Sequence, residues 1–115
     1  MGAWGTAAWE NDSGADWFGD LFDATGLASR VEEALNRDPN DDPDVIRAAA
    51  FLLVQLGRVY IWPVHDLGRH LRLAIQKLET IRELELFREA PGFVASIDAD
   101  LAVLLSRLPP PRTTP

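Results

Sequence analysis

Apolar residues recur with a helical rhythm along almost the whole chain. Trp17, Phe18, Leu21 and Phe22 fall at i, i+1, i+4 and i+5, the spacing of one helical face. Ser13 stands three residues before Asp16, a capping-box pattern. A first helix is therefore predicted from about Gly14 to Ala24, with Asn11, Asp12 or Ser13 supplying the side-chain oxygen that closes its start. After Thr25-Gly26, Leu27, Val31 and Leu35 repeat at i, i+4 and i+8, with Arg30, Glu32 and Glu33 on other faces; this is a second, amphipathic helix. It stops at Asp38-Pro39, because proline disfavours a helical conformation in the residue before it. A loop to Asp44 follows, with Asp42 placed as N-cap and Pro43 at the first helical position.

Between Val45 and Leu56 only Arg47 and Gln55 are strongly polar. A segment apolar nearly all round reads as a buried helix, with Phe51, Leu52, Leu53, Val54 and Leu56 as its main source of stability. Gly57 can end it, and Val59 to Pro63 reads as a turn-like connection carrying Tyr60 and Trp62. A long helix then opens at His65 or Asp66 and runs through Leu67, Leu71, Ile75 and Leu78. Ile81, Leu84 and Phe87 either continue it or form a separate helix after a kink near Thr80. Glu79, Arg82, Glu85 and Arg88 are spaced by three, which predicts a solvated face paired with itself. Pro91-Gly92 is a break, and Phe93, Ile97, Leu101, Leu104, Leu105 and Leu108 mark a last helix. Residues 109–115 begin with three prolines and are expected to be a disordered tail.

No run alternates with period two for long enough to make a strand. The expected architecture is all-α: one domain over residues 1–108, an irregular bundle of five or six helices, with residues 1–12 as an extended arm packed on it. That arm holds Trp4 and Trp9, and Trp17 follows closely. Each large ring offers about 150–250 Å² for burial. Trp4, Trp9, Trp17 and Trp62 are accordingly read as core, the alternative being an exposed hot-spot patch.

Composition adds a boundary to this picture. With 115 residues, 47% hydrophobic and 25% charged, the chain suits one ordinary globular domain rather than a disordered segment. It has no cysteine, which removes disulfides and thiolate metal sites and fits a reducing cytoplasm. The start lacks a basic segment followed by an apolar run, and no stretch is long enough to span a membrane, so neither secretion nor membrane insertion is expected. Gly2 with Thr6 matches a myristoylation pattern that is too permissive to use.

Charge is unevenly placed. Residues 1–44 hold eleven acids against two bases, a net −9, whereas residues 45–115 hold seven acids against nine bases, a net +2. The acidic front half argues against nucleic-acid binding, which depends on Lys and Arg neutralising phosphates. It suits a basic protein partner instead.

Candidate chemistry is sparse. Glu10-Asn11-Asp12 with Asp16 is either a small acidic site or the cap that ties down the arm, and capping is the favoured reading. Asp38-x-Asn40-x-Asp42 opens like a calcium loop, but Pro43 and Ala49 stand where glycine and a bidentate glutamate are needed. His65, Asp66 and His70 form the one histidine cluster. The two histidines are five apart, off the i, i+4 spacing of a zinc helix, so a helix cap and a surface or half-buried imidazole are expected. No serine sits in a nucleophile elbow and no glycine-rich phosphate loop occurs, so catalytic residues, metal and cofactor are all assigned as none.

The opening stretch also carries a resemblance. Met1-Gly2-x-Trp4-Gly5-Thr6, Trp9, Glu10-Asn11-Asp12, Asp16-Trp17 and Asp20-Leu21 resemble the N-terminal signature of the bacterial family called domain of unknown function 4259. The likeness extends to Leu84-x-x-Phe87-x-Glu89 and the closing helix, while Ala7-Ala8 and Ser13-Gly14 depart from the common pattern. The resemblance implies a small bacterial protein and no particular chemistry. Trp4, Gly5, Trp9, Asn11 and Trp17 are its structural signature residues here.

The functional expectation is a non-catalytic, immunity- or antitoxin-like module that binds a basic protein partner, monomeric or homodimeric. Glu10, Asp12, Asp16, Asp20, Glu32, Glu33, Asp41 and Asp42 are its candidate contact residues. Two alternatives are a small metal-dependent enzyme using Glu10, Asp12 and Asp16 with His65 or His70, and a homo-oligomeric structural protein.

Overall fold

Each periodic segment forms a helix in the structure, a computed structural model that describes residues 4–109. α1 spans Asp12–Thr25, α2 Leu27–Leu35, α3 Pro43–Leu56, α4 Val64–Glu83, α5 Glu85–Arg88 and α6 Pro91–Arg107. No β-strand occurs among the described residues, so the fold is all-α. Residues 1–3 of the arm, with Gly2 of the acylation pattern, and the tail from Pro110 onward lie outside the described residues.

The helix boundaries have local causes. Asn11, not Ser13, caps α1: its Oδ1 accepts the Gly14 N–H at 2.7 Å. Gly26 ends α1 and starts α2 with φ 61°, and its N–H donates to the Phe22 carbonyl. That left-handed conformation lets two helices meet with one residue between them, and it favours glycine over any residue with a Cβ. Pro43 occupies the first turn of α3 behind Asp42, whose side chain makes no capping bond. The kink expected near Thr80 falls at Leu84, which is extended, so Phe87 belongs to the separate short α5. Pro91 begins α6 rather than merely interrupting the chain, because its missing N–H costs nothing at a helix start.

α4 is the central element and packs against α2, α3, α5 and α6. At 20 residues it is about 30 Å long. It contributes Leu71, Ala74, Leu78 and Ile81 to a core completed by Leu35, Ile46, Ala50, Leu53, Ile97 and Leu104, all fully buried.

Two expectations are corrected. α3 is one-sided rather than buried all round: Ile46, Ala49, Ala50 and Leu53 face the core, whereas Phe51 points away and is 49% exposed. Its apolar composition hid a helical face directed to solvent. The i, i+3 pairs expected among Glu79, Arg82, Glu85 and Arg88 do not form among the described residues either. Arg82 instead grips Asp98 of α6 with Nε at 2.6 Å and Nη2 at 3.1 Å, and also meets Glu83. That hydrogen bond holds the Asp98 carboxyl below the usual aspartate range.

Arg107 performs a further closure at the far end of α6. Its Nη1 donates to the carbonyls of Leu53 and Gly57, and its Nη2 to that of Val54. Val54 lies in the last turn of α3 and Gly57 just past it, where carbonyls lack an intrahelical partner, whereas the Leu53 carbonyl also accepts the Gly57 N–H.

Leu53→Ala is expected to cost about 2–5 kcal/mol in chemical denaturation, since it opens a cavity among α3, α4 and α6. Phe51→Ala should cost under about 1 kcal/mol, and equal losses would contradict the one-sided reading of α3. Because Asp98 has a lowered folded-state value, its pairing stabilises above the usual aspartate range and is lost as the pH falls through that value. The small difference in denaturation midpoint between parent and Asp98→Asn should therefore vanish on acidification.

Candidate functional site

The described part of the arm is a folded clasp. Trp4 N–H donates to the Glu10 carbonyl at 2.9 Å, and Glu10 N–H donates to the Ala7 carbonyl. The Glu10 carboxylate accepts the Ala7 N–H at 3.1 Å and lies so close to Gly5 that a Cβ there would collide with it. Asn11 Nδ2 donates to the Ala8 carbonyl while its Oδ1 caps α1, and Asp12 accepts the Trp4 indole N–H at 3.1 Å. Glu10-Asn11-Asp12 is thus the fastener of the arm, and short polar side chains suit that local work.

The clasp rests on the turn between α3 and α4. The Trp4 and Tyr60 rings pack with centroids 4.6 Å apart, and the Arg58 guanidinium lies 4.9 Å from the centre of the Trp9 ring. Tyr60 has φ 77°, the one described non-glycine residue in the left-handed region, a conformation worth about 1–3 kcal/mol of strain. The turn is anchored from beneath by Trp62, whose indole N–H donates to His70 Nδ1 at 3.0 Å inside the core. An indole N–H can only donate, so Nδ1 must accept and the neutral ring carries its proton on Nε2. Nε2 then donates to Glu32 Oε1 at 3.2 Å, and Arg69 and Asp66 extend the pairing to the surface at 2.8 and 2.9 Å. Phe22 of α1 closes edge-on against Trp62, with centroids 5.1 Å apart.

Between α1 and this turn lies an apolar groove of about 530 Å³ lined by Ala15, Gly19, Asp23, Tyr60, Trp62 and Val64. Ala15 and Gly19 leave the floor open because they carry little or no side chain. Asp16, Asp20 and Asp23 sit at i, i+4 and i+7 on the adjoining side of α1, all exposed, and none forms an ion pair with a described residue. Tyr60 and Val64 stand exposed at the groove's edge.

The candidate contact residues divide accordingly. Glu10 and Asp12 are engaged in the clasp. Glu32 is held by Arg69 and His70, and Glu33 by Arg37 at 3.2 Å. Asp41 is exposed in the α2–α3 loop and Asp42 precedes α3, both away from the groove's lining. Asp16 and Asp20 are not in the groove's lining but directly follow its lining residues Ala15 and Gly19 along α1. They are joined by Asp23, which the sequence reading omitted although its i+7 spacing from Asp16 would have placed it there.

The tryptophans also separate. Trp62 is core, Trp9 is half-buried, and Trp4 and Trp17 are 45% and 59% exposed. Reading all four as core is corrected: Trp4, which fastens the arm, needs only one face covered, and Trp17 lies on an exposed face of α1 against Phe18. His70 is corrected in the opposite sense, being 1% exposed rather than at or near the surface. A lone histidine gives no sign of burial in a sequence, because its partner Trp62 lies eight residues back. His65 is exposed. Among the described residues no three His, Asp or Glu side chains come together as a metal site would need.

The family model described as a domain of unknown function, DUF4259, matches residues 2–61, just over half of the chain. The chain belongs to the DUF4259 family. Comparison with curated proteins and with solved structures gives no match. The DUF4259 match takes in the clasp, α1 to α3 and the turn as far as Ile61. The expected extension into Leu84, Phe87, Glu89 and the closing helix lies outside it.

Trp62→Phe should destabilise this DUF4259 protein by at least about 1–3 kcal/mol in chemical denaturation, since it leaves the buried Nδ1 of His70 without a donor. Trp17→Ala, made at an exposed ring, should cost less than about 1 kcal/mol. The reverse order would contradict the anchoring role given to Trp62.

Proposed function

We propose that this DUF4259 protein is a non-catalytic interaction protein that seats a basic, partly apolar segment of a protein partner in the groove between α1 and the α3–α4 turn. The observation that carries this reading is the apolar groove with Asp23 in its lining and Asp16 and Asp20 beside it on α1, all exposed and none paired with another described residue. Carboxylates on one helix face repel one another at close spacing, and a cationic partner relieves that repulsion while an apolar strip fills the groove. Tyr60 supports the same reading. Its strained backbone displays an exposed aromatic ring at the groove's edge, and strain retained at a surface points to use rather than to stability.

An immunity- or antitoxin-like role is the most concrete form of this proposal. Such a protein masks a basic partner by covering it with acidic surface, and it needs no cofactor. The cysteine-free composition suits a bacterial cytoplasm as its compartment.

The test is affinity capture from native lysate with the parent protein and with Asp16→Asn/Asp20→Asn/Asp23→Asn. The parent should retain a basic protein that the triple variant loses, and raising the salt should release it from the parent as well. Melting temperatures of the two baits should agree. An identical set of captured proteins on both baits would overturn the proposal. A mass that rises with concentration in light scattering, and falls back in the triple variant, would assign the face to a second copy instead.

A further inference from the structure

On the other side of Tyr60 the charge changes sign. A second pocket of about 300 Å³ is lined by Trp9, Arg58, Tyr60, Leu67 and Arg107. Two guanidinium groups therefore share one small space in a chain whose net charge is −7. Neither Arg58 nor Arg107 forms an ion pair with a carboxylate among the described residues.

Both cations are held in place by contacts that leave donors unused. Arg107 is fixed by the carbonyls of Leu53, Val54 and Gly57. Three of its five N–H groups suffice for those bonds. The Arg58 guanidinium lies over the Trp9 ring, 4.9 Å from its centroid, and its side chain donates no hydrogen bond to a described residue. A guanidinium held by a cation–π contact rather than by hydrogen bonds keeps its N–H donors free, and such a planar fork of donors matches a carboxylate or phosphate. Burial, and to a smaller extent the nearby Arg58 charge, push the Arg107 guanidinium below its ordinary basicity.

We propose that the pocket formed by Arg58, Arg107, Trp9 and Tyr60 binds a small oxyanion, a carboxylate or phosphate group, gripped by the N–H edges of the two arginines. Trp9 and Tyr60 form its walls, and their low polarity strengthens the attraction inside. The site does not depend on the acidic groove. It uses the opposite charge, and of the pocket residues that carry it, Tyr60 alone also lines the groove.

The experiment is an NMR titration of the full chain, following the Trp9 indole N–H signal. Sodium phosphate and sodium acetate are added separately, each against sodium chloride at equal ionic strength. A saturable shift with phosphate or acetate, absent with chloride, is the expected result, and the anion that binds more tightly names the source of the group. Arg58→Gln should weaken that binding roughly ten- to hundredfold, the usual consequence of removing a charged hydrogen-bond partner. Arg58→Lys, which keeps the charge and loses the planar fork, should weaken it about tenfold and serves if Arg58→Gln does not fold. Asp16→Asn/Asp20→Asn/Asp23→Asn should leave anion binding intact, so failure of the groove proposal and failure of this one are distinguishable. A non-saturating shift equal to that with chloride, or saturable binding of undiminished affinity in either Arg58 variant, would overturn the proposal.

Discussion

The arrangement of this protein depends on one buried hydrogen-bond chain, from the Trp62 indole through His70 to Glu32. It joins three parts of the sequence, the α3–α4 turn, the first half of α4 and α2, and the Arg69–Glu32 ion pair reinforces the α4–α2 link at the surface. A buried imidazole with one ring nitrogen unpaired would cost more than the bond itself contributes. The turn therefore has a single acceptable position, with the Trp62 indole directed at Nδ1. Apolar packing alone, being non-directional, would not select that orientation.

Once the turn is fixed, the surface above it follows. Trp62 gives Phe22 of α1 a ring to close on, which sets the groove between α1 and the turn. Tyr60 and Arg58, two and four residues before Trp62, then provide the platform for Trp4 and Trp9 of the clasp. Charge is sorted by the same geometry. Asp23 of α1 lines the groove on one side of Tyr60, and Arg58 and Arg107 line the pocket on the other. A chain whose first 44 residues are strongly acidic thus carries a small cationic pocket within reach of its acidic groove.

Much of the helical frame was legible in the sequence. Leu27 marked the start of α2 and Pro43 the start of α3, because period and proline act locally, whereas α2 ends at Leu35, before the Asp38-Pro39 that was expected to stop it. The clasp was legible in kind, since Asn, Asp and Ser before an apolar face announce a cap, but Asn11 and Ser13 were equivalent candidates until the arm's path was known. Other features were out of reach for a physical reason. Phe51 and Leu53 look alike in composition, and only the direction of the core separates them. His70 is buried through a partner on a turn, and Arg82 prefers Asp98 sixteen residues away to the acids on its own helix. Half of the expected acidic contact set was lost in this way. Glu10, Asp12, Glu32 and Glu33 found partners inside the molecule, and a net charge reports the number of carboxylates without their pairing.

The tautomer of His70 tests the central interaction most directly. Side-chain nitrogen chemical shifts of His70, read together with hydrogen exchange of the Trp62 indole N–H, report the chain atom by atom. The expected result is a neutral ring protonated at Nε2 with Nδ1 as acceptor, and an indole N–H that exchanges only with global unfolding. A ring protonated at Nδ1, or an indole N–H that exchanges as fast as that of exposed Trp17, would contradict the account.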